Sequence, residues 1–111
     1  ESGQVSDIRQ QKDFRSTVAS LDRMIAWARK NQVHFFVMTT SPSRYSQPLK
    51  EFLEKREVIL LEASEVFSRW NADPAALILA DGHWNKRGHA LVAQGIEQLL
   101  RRQAWISRPG A

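Results

Sequence analysis

A mixed α/β fold built on a parallel sheet is what this sequence predicts. Three observations carry the prediction. Two short apolar runs, residues 33–38 (Val-His-Phe-Phe-Val-Met) and 58–61 (Val-Ile-Leu-Leu), are rich in β-formers and nearly continuous, as in strands buried on both faces. An amphipathic stretch separates them, giving a βαβ unit with a right-handed crossover expected. Longer helical patterns occupy the flanks, one before the first run and one near the end of the chain.

The first helical pattern places Phe14, Val18, Leu21, Ile25 and Ala28 on one face, with Met24 and Trp27 widening the stripe. Asp7 or Ser6 caps its start, and it ends near Asn31. Residues 39–43 (Thr-Thr-Ser-Pro-Ser) form the loop after the first strand, with Pro42 and Pro48 bracketing a turn and Ser46 as a cap. Leu49, Phe52 and Leu53 mark a short helix to about Arg56. Ala63, Phe67 and Trp70 predict a helical turn or two after the second strand, broken by residues 71–74 (Asn-Ala-Asp-Pro). Residues 77–79 are a short apolar approach to the densest motif in the chain. The last helix starts near Lys86, buries Val92, Ile96, Leu99 and Leu100, and ends before Ser107.

Length and composition bound the answer. With 111 residues, 42% hydrophobic and 25% charged, the chain reads as one globular unit or fragment over residues 7–106, with a flexible lead-in (1–6) and a tail (107–111). It has no cysteine, which excludes a disulfide framework and a cysteine-based zinc site. No apolar run approaches the roughly 20 residues of a membrane helix. The net charge is +4, but the bases are scattered and not interleaved with aromatics, so they read as solvated helix faces rather than a nucleic-acid surface. A start at Glu1 without Met suggests a processed or excised chain.

Two doubly buried strands do not make a self-sufficient sheet, because both outer edges would present unpaired backbone groups. The expectation is that the chain is the second half of a larger α/β domain, or completes its sheet through a partner or a swapped copy of itself.

The chemistry concentrates in residues 81–89, Asp-Gly-His-Trp-Asn-Lys-Arg-Gly-His. A serine nucleophile needs a histidine base whose second ring nitrogen is held by a carboxylate. Asp81 and His83 are close enough for that pairing in a loop bent at Gly82. Asn85 suits the helix cap, and Gly88 permits another backbone to approach the first helical turn. Trp84 either lines an acyl pocket or covers the helix start. His89, one turn into the helix, reads as packed or solvent-facing, and His34 as a hydrogen-bonded core or edge residue. Trp27, Trp70 and Trp105 read as core or edge packing. The spacing of Asp81, His83 and His89 is not that of a zinc site on one helical face, and neither a metal nor another cofactor is expected.

The block Asp-Gly-His-Trp-Asn-x-x-Gly-His, leading into a helix, resembles the last conserved block of the SGNH (GDSL-type) hydrolases. The upstream order of helix, strand, Ser/Thr-Pro loop and second strand is also similar, so the resemblance spans about residues 10–103. It implies a three-layer flavodoxin-like fold lacking its amino-terminal strands, with His83 as general base and Asp81 orienting it. The single residue between acid and histidine resembles the form found in polysaccharide O-acetyltransferases of the alginate-acetylation type. The family's Gly-Asp-Ser nucleophile block and its oxyanion-hole glycine and asparagine have no counterpart here. Ser41 and Ser43 flank Pro42 and read as turn residues, and residues 3–7 have the wrong order for the nucleophile block.

The resemblance therefore implies the acid–base half of an ester hydrolase or O-acetyltransferase. Its substrates would be acyl or acetyl esters, with carbohydrate among the acceptors and a periplasmic or secreted location, and the chain alone would be nearly inactive. A second reading, from another class, is a non-catalytic α/β module for assembly or partner binding, with a relic histidine loop. A third takes the scattered bases as a site for an anionic polymer.

Overall fold

The computed structural model describes residues 7–73 and 77–107. The lead-in 1–6, including Ser6, the break at Pro74 and the tail at Pro109-Gly110 lie outside the described residues. In chain order the elements are a short 3-10 turn (Ile8–Gln10), α1 (Lys12–Lys30), β1 (Phe36–Thr39), α2 (Ser46–Lys55), β2 (Ile59–Glu62), α3 (Ala63–Arg69) and α4 (Lys86–Arg102). β1 and β2 pair in a two-stranded parallel sheet, with α2 in the connection between them. The α/β class is therefore as expected. Among the described residues no helix is long and apolar enough to cross a membrane.

The chain divides into two compact units, and each strand runs from one into the other. The first takes residues up to Val37 together with Pro42–Leu60. Its buried side chains are Phe14, Ile25 and Ala28 from α1, and Pro48 and Leu53 from α2. Phe14 stacks on Tyr45 with ring centroids 6.3 Å apart. At the α2 end, Arg56 forks onto the Asp22 carboxylate, donates to the Phe52 carbonyl and lies over the Phe52 ring. Asp22 is held below the usual carboxylate range by these guanidinium hydrogen bonds.

The second unit takes Met38–Ser41 and the chain from Leu61 onward. Its core is Ala63, Phe67, Leu77, Leu91 and Val92, with Met38, Trp84 and Ile96 packed against it. α3 and α4 meet closely because Gly95 has no side chain: a Cβ there would lie 2.8 Å from a methyl of Val66. Leu91 and Gly95 join the expected Val92 and Leu99 on the buried face of α4, while Ile96 and Leu100 are half-buried.

The four described α-helices end the same way, in a form with no glycine to announce it. Gln32, Glu57, Asn71 and Ala104 follow the caps of α1, α2, α3 and α4 with φ between 52° and 59°. The next residue's N–H then returns to a carbonyl in the last turn, as in Val33 to Ala28 and Val58 to Leu53. This is the Schellman closure, and non-glycine residues adopt its left-handed position at a cost that the recovered hydrogen bonds offset.

Several expectations need correction. The first strand begins at Phe36, not Val33, and both Val33 and His34 are exposed, so His34 is not a core residue. Every residue of β1 is only half-buried, and in β2 only Leu61 is fully buried. Among the described residues no third strand covers the outer edge of either one. Met24 and Trp27 do not extend the buried stripe of α1; they are 52% and 61% exposed. Trp70 also lies in solvent, at the end of α3, whereas Trp105 is half-buried. Ser46 is the first residue of α2 rather than its cap. The cap position is Tyr45, without a side-chain cap bond, and Ser43 organises the turn before it: its Oγ accepts the Tyr45 N–H at 3.1 Å, and its own N–H donates to Ser46 Oγ at 2.9 Å. Asp7 does cap, but for the 3-10 turn, where its carboxylate accepts the Arg9 N–H at 2.9 Å.

Candidate active site

The loop that carries Asp81 and His83 is a small hairpin. Ile78 and Trp84 form an antiparallel bridge. Below it the Asn85 N–H donates to the Leu77 carbonyl at 2.7 Å, and above it the Leu79 N–H donates to the His83 carbonyl at 2.7 Å. Three residues, Ala80, Asp81 and Gly82, make the tip. The Gly82 N–H closes the turn onto the Leu79 carbonyl at 2.9 Å, and Gly82 itself has φ +87°. A three-residue hairpin loop characteristically ends in a left-handed residue, and glycine is the one that takes that conformation at least cost. The predicted bend at Gly82 is thus a hairpin tip.

This geometry sets the pairing. From the tip, the Asp81 carboxylate turns toward the strand that follows. One oxygen accepts the His83 backbone N–H at 3.0 Å, and the other lies 3.2 Å from His83 Nδ1. The acid therefore grips both the backbone and the ring of the histidine two residues on. These two hydrogen bonds, the backbone one first, hold the Asp81 carboxyl below its usual value. With Nδ1 committed to Asp81, Nε2 is the ring nitrogen left to exchange a proton. The pair stands well out in solvent: the side chains of His83 and Asp81 are 80% and 64% exposed.

Neighbouring residues in the hairpin face the other way. Trp84 is half-buried, edge-on to Phe67 at 6.3 Å and to His89 at 5.3 Å. It anchors the hairpin to the core of the second unit. Directly after it, Asn85 caps α4, its side-chain oxygen accepting the Gly88 N–H at 2.9 Å. Gly88 is buried because the hairpin presses on it: a Cβ there would meet the Leu77 carbonyl oxygen at 2.9 Å and Trp84 Cβ at 3.1 Å. The cap at Asn85 and the close approach at Gly88 are as expected from sequence.

Compared with protein-family models, with curated proteins and with solved structures, the chain matches none.

The structure brings Asp81 and His83 together and gives Trp84 a packing role at the helix start. His89 is exposed on α4 with its ring against Trp84, a contact that sequence spacing did not single out. A tryptophan and a histidine five residues apart across a helix cap are the only signal that was available for it. Ser43 is occupied with its own turn. Among the described residues no group of three or more His, Asp or Glu side chains is placed to hold a metal ion. What the loop can do is accept and return a proton at one oriented imidazole.

Proposed function

We propose that this chain carries the acid–base half of an SGNH-type ester hydrolase or O-acetyltransferase, in a partial flavodoxin-like fold. The observation that supports this reading is the double hold of Asp81 on His83, at the backbone N–H and at Nδ1. A serine supplied from outside these residues attacks the ester carbonyl, and His83 Nε2 takes the hydroxyl proton. The same proton then goes to the departing alcohol. Water or an acceptor hydroxyl releases the acyl group in a second round, with His83 again as base. Asp81 keeps the ring in the tautomer that leaves Nε2 unprotonated and stabilises the imidazolium as it forms. Acyl or acetyl esters are the substrate class, carbohydrate hydroxyls are fitting acceptors, and a periplasmic or secreted setting suits such chemistry. Trp84 borders the site and would contact the acyl group on its exposed edge.

The test is acetyl-ester hydrolysis and acetyl transfer by the full gene product. His83→Ala should lower the rate about 10²- to 10⁴-fold, the usual worth of a general base. Asp81→Asn should lower it less. Activity that survives His83→Ala unchanged refutes the reading.

The exposure of the pair favours a second reading, an α/β module for assembly with a catalytically idle histidine loop. It predicts that neither substitution changes what the protein binds, and that no ester is turned over.

A further inference from the structure

The hairpin tip holds a second kind of chemistry, carried by its backbone. The sequence has five aspartates, and only Asp81 precedes a glycine; the others precede Ile8, Phe14, Arg23 and Pro74. The distinction matters because an aspartyl side chain can close on the nitrogen of the next peptide unit. In that step Gly82 N bonds to Asp81 Cγ, the Cγ–OH bond breaks, and the amide proton leaves with the hydroxyl as water. The product is a five-membered succinimide. Water then adds at the Asp81 main-chain carbonyl carbon and breaks its bond to Gly82 N. The chain now runs through Cβ and Cγ, and the carboxylate sits directly on Cα. This is isoaspartate, and its mass is unchanged. A side chain on the following residue hinders the attacking nitrogen. Glycine has none, and it tolerates the backbone angles that closure requires. Pro74 has no N–H, so Asp73 cannot follow this route.

The structure shows an open site whose reactants are tied down. Asp81 and Gly82 are exposed, and nothing lies within 4 Å of where a Gly82 Cβ would stand. Bulk therefore does not obstruct closure. Hydrogen bonds do. The Gly82 N–H is held by the Leu79 carbonyl at 2.9 Å. The two carboxylate oxygens are held by the His83 N–H and Nδ1. Closure needs the nitrogen and the carboxyl both released, and the carboxyl protonated so that it can lose water. The hold of His83 opposes it twice, by fixing the carboxylate and by keeping it ionised.

We propose that Asp81–Gly82 is a self-modification site, isomerising to isoaspartate at a rate set by how often Asp81 leaves His83. The change adds one carbon to the main chain at the tip and removes one from the arm of the carboxylate. The double hold on His83 is then lost, so the orientation of that ring has a finite lifetime. The proposal does not depend on ester chemistry at His83: a catalytically idle hairpin would age in the same way.

Incubation of the whole chain near neutral pH over weeks tests it. Proteolysis and fragment-ion mass spectrometry then separate isoaspartate from aspartate at each position. Isoaspartate should accumulate at residue 81 and not at the other four aspartates. His83→Ala should speed it about two- to fivefold, as expected when one hydrogen bond no longer opposes local opening. His83 is 80% exposed, so the variant should keep its circular dichroism. Arg87→Ala, an exposed change on α4 away from the carboxylate, should leave the rate as it is. Unfolding in urea should raise the rate about tenfold or more, since every restraint of the hairpin is then gone. Gly82→Ala, compared in urea where its effect on the turn drops out, should lose most of the product. Isoaspartate no more frequent at residue 81 than elsewhere overturns the proposal. So does a rate that neither His83→Ala nor urea changes, or one that Gly82→Ala leaves intact.

Discussion

α1 and α4 are the two long helices, 19 and 17 residues, and both are amphipathic. They are finished very differently. α4 has a side-chain cap at Asn85, buries five residues and uses two glycines to bring neighbours close. α1 starts at Gln11 with no side-chain cap and buries three residues. Met24 and Trp27 remain mostly in solvent. The difference teaches that the chain itself covers more of the apolar face of α4, where Ile96 and Leu100 are still half-buried, than of α1. An amphipathic pattern says that a face wants cover, not that the same chain supplies it.

The sharpest way to break this comparison is to truncate a large side chain on each helix. Leu99→Ala, at a fully buried site on α4, should cost about 2–5 kcal/mol in urea denaturation, from lost burial and the cavity left behind. Trp27→Ala on α1 should change monomer stability by no more than about 0.5 kcal/mol, as at other exposed sites. Equal costs would show that α1 is as fully partnered as α4.

Next in size is Gly88→Ala. In an exposed helix such a change gains about 1 kcal/mol. Here the new methyl meets the Leu77 carbonyl, and backbone must move. A net loss of about 1–3 kcal/mol is expected. The hairpin should loosen with it, visible as faster amide exchange at Leu79 and Asn85. Unchanged exchange would mean that the hairpin does not rest on α4.

The helix starts give a paired test. Asn85→Ala should remove about 1 kcal/mol by stripping the cap from α4. Gln11→Asp should add a similar or smaller amount to α1, since Gln11 already has the extended backbone of a cap. Thermal melts of both variants measure the asymmetry directly.

The smallest effect is the pH response of the hairpin. Asp81 is held below the usual carboxylate value in the folded chain, chiefly by the His83 N–H and then by the His83 ring. Its stabilising contribution is therefore complete above the ordinary carboxylate value. It is lost as pH falls through the lower folded value. Because the pair is exposed, the change should be local. The His83 amide resonance should titrate with a midpoint below the ordinary carboxylate value and stop titrating in Asp81→Asn, with little change in melting temperature. A midpoint at or above the ordinary value would mean that the grip on His83 is absent in solution.

Much of the candidate site was legible because it is local. Asp81, Gly82 and His83 are neighbours, so one turn decides whether they meet. Residue types alone suggested the bend at Gly82, the cap at Asn85 and the tight fit at Gly88. That the loop is a hairpin was not legible, because the Ile78–Trp84 bridge needs a register that a three-residue apolar run does not announce. The helix ends were legible in place but not in form: Gln32, Glu57 and Ala104 take a left-handed position that usually advertises itself with glycine. The strands were legible in number and order, but not in burial.

By itself, then, the sequence determined the alternation of helix and strand, the helix boundaries to within a few residues, and the meeting of acid and histidine. Dihedral preferences and hydrogen bonds spanning a few residues are enough for each of these. Only the tertiary structure decided which apolar side chains are covered. Phe14 and Trp27 both carry large apolar rings on α1, yet one stacks on Tyr45 and the other lies in solvent. Val66 is buried because Gly95, 29 positions away, leaves it room. Burial depends on what distant parts of the chain bring to a face, and no local pattern contains that information.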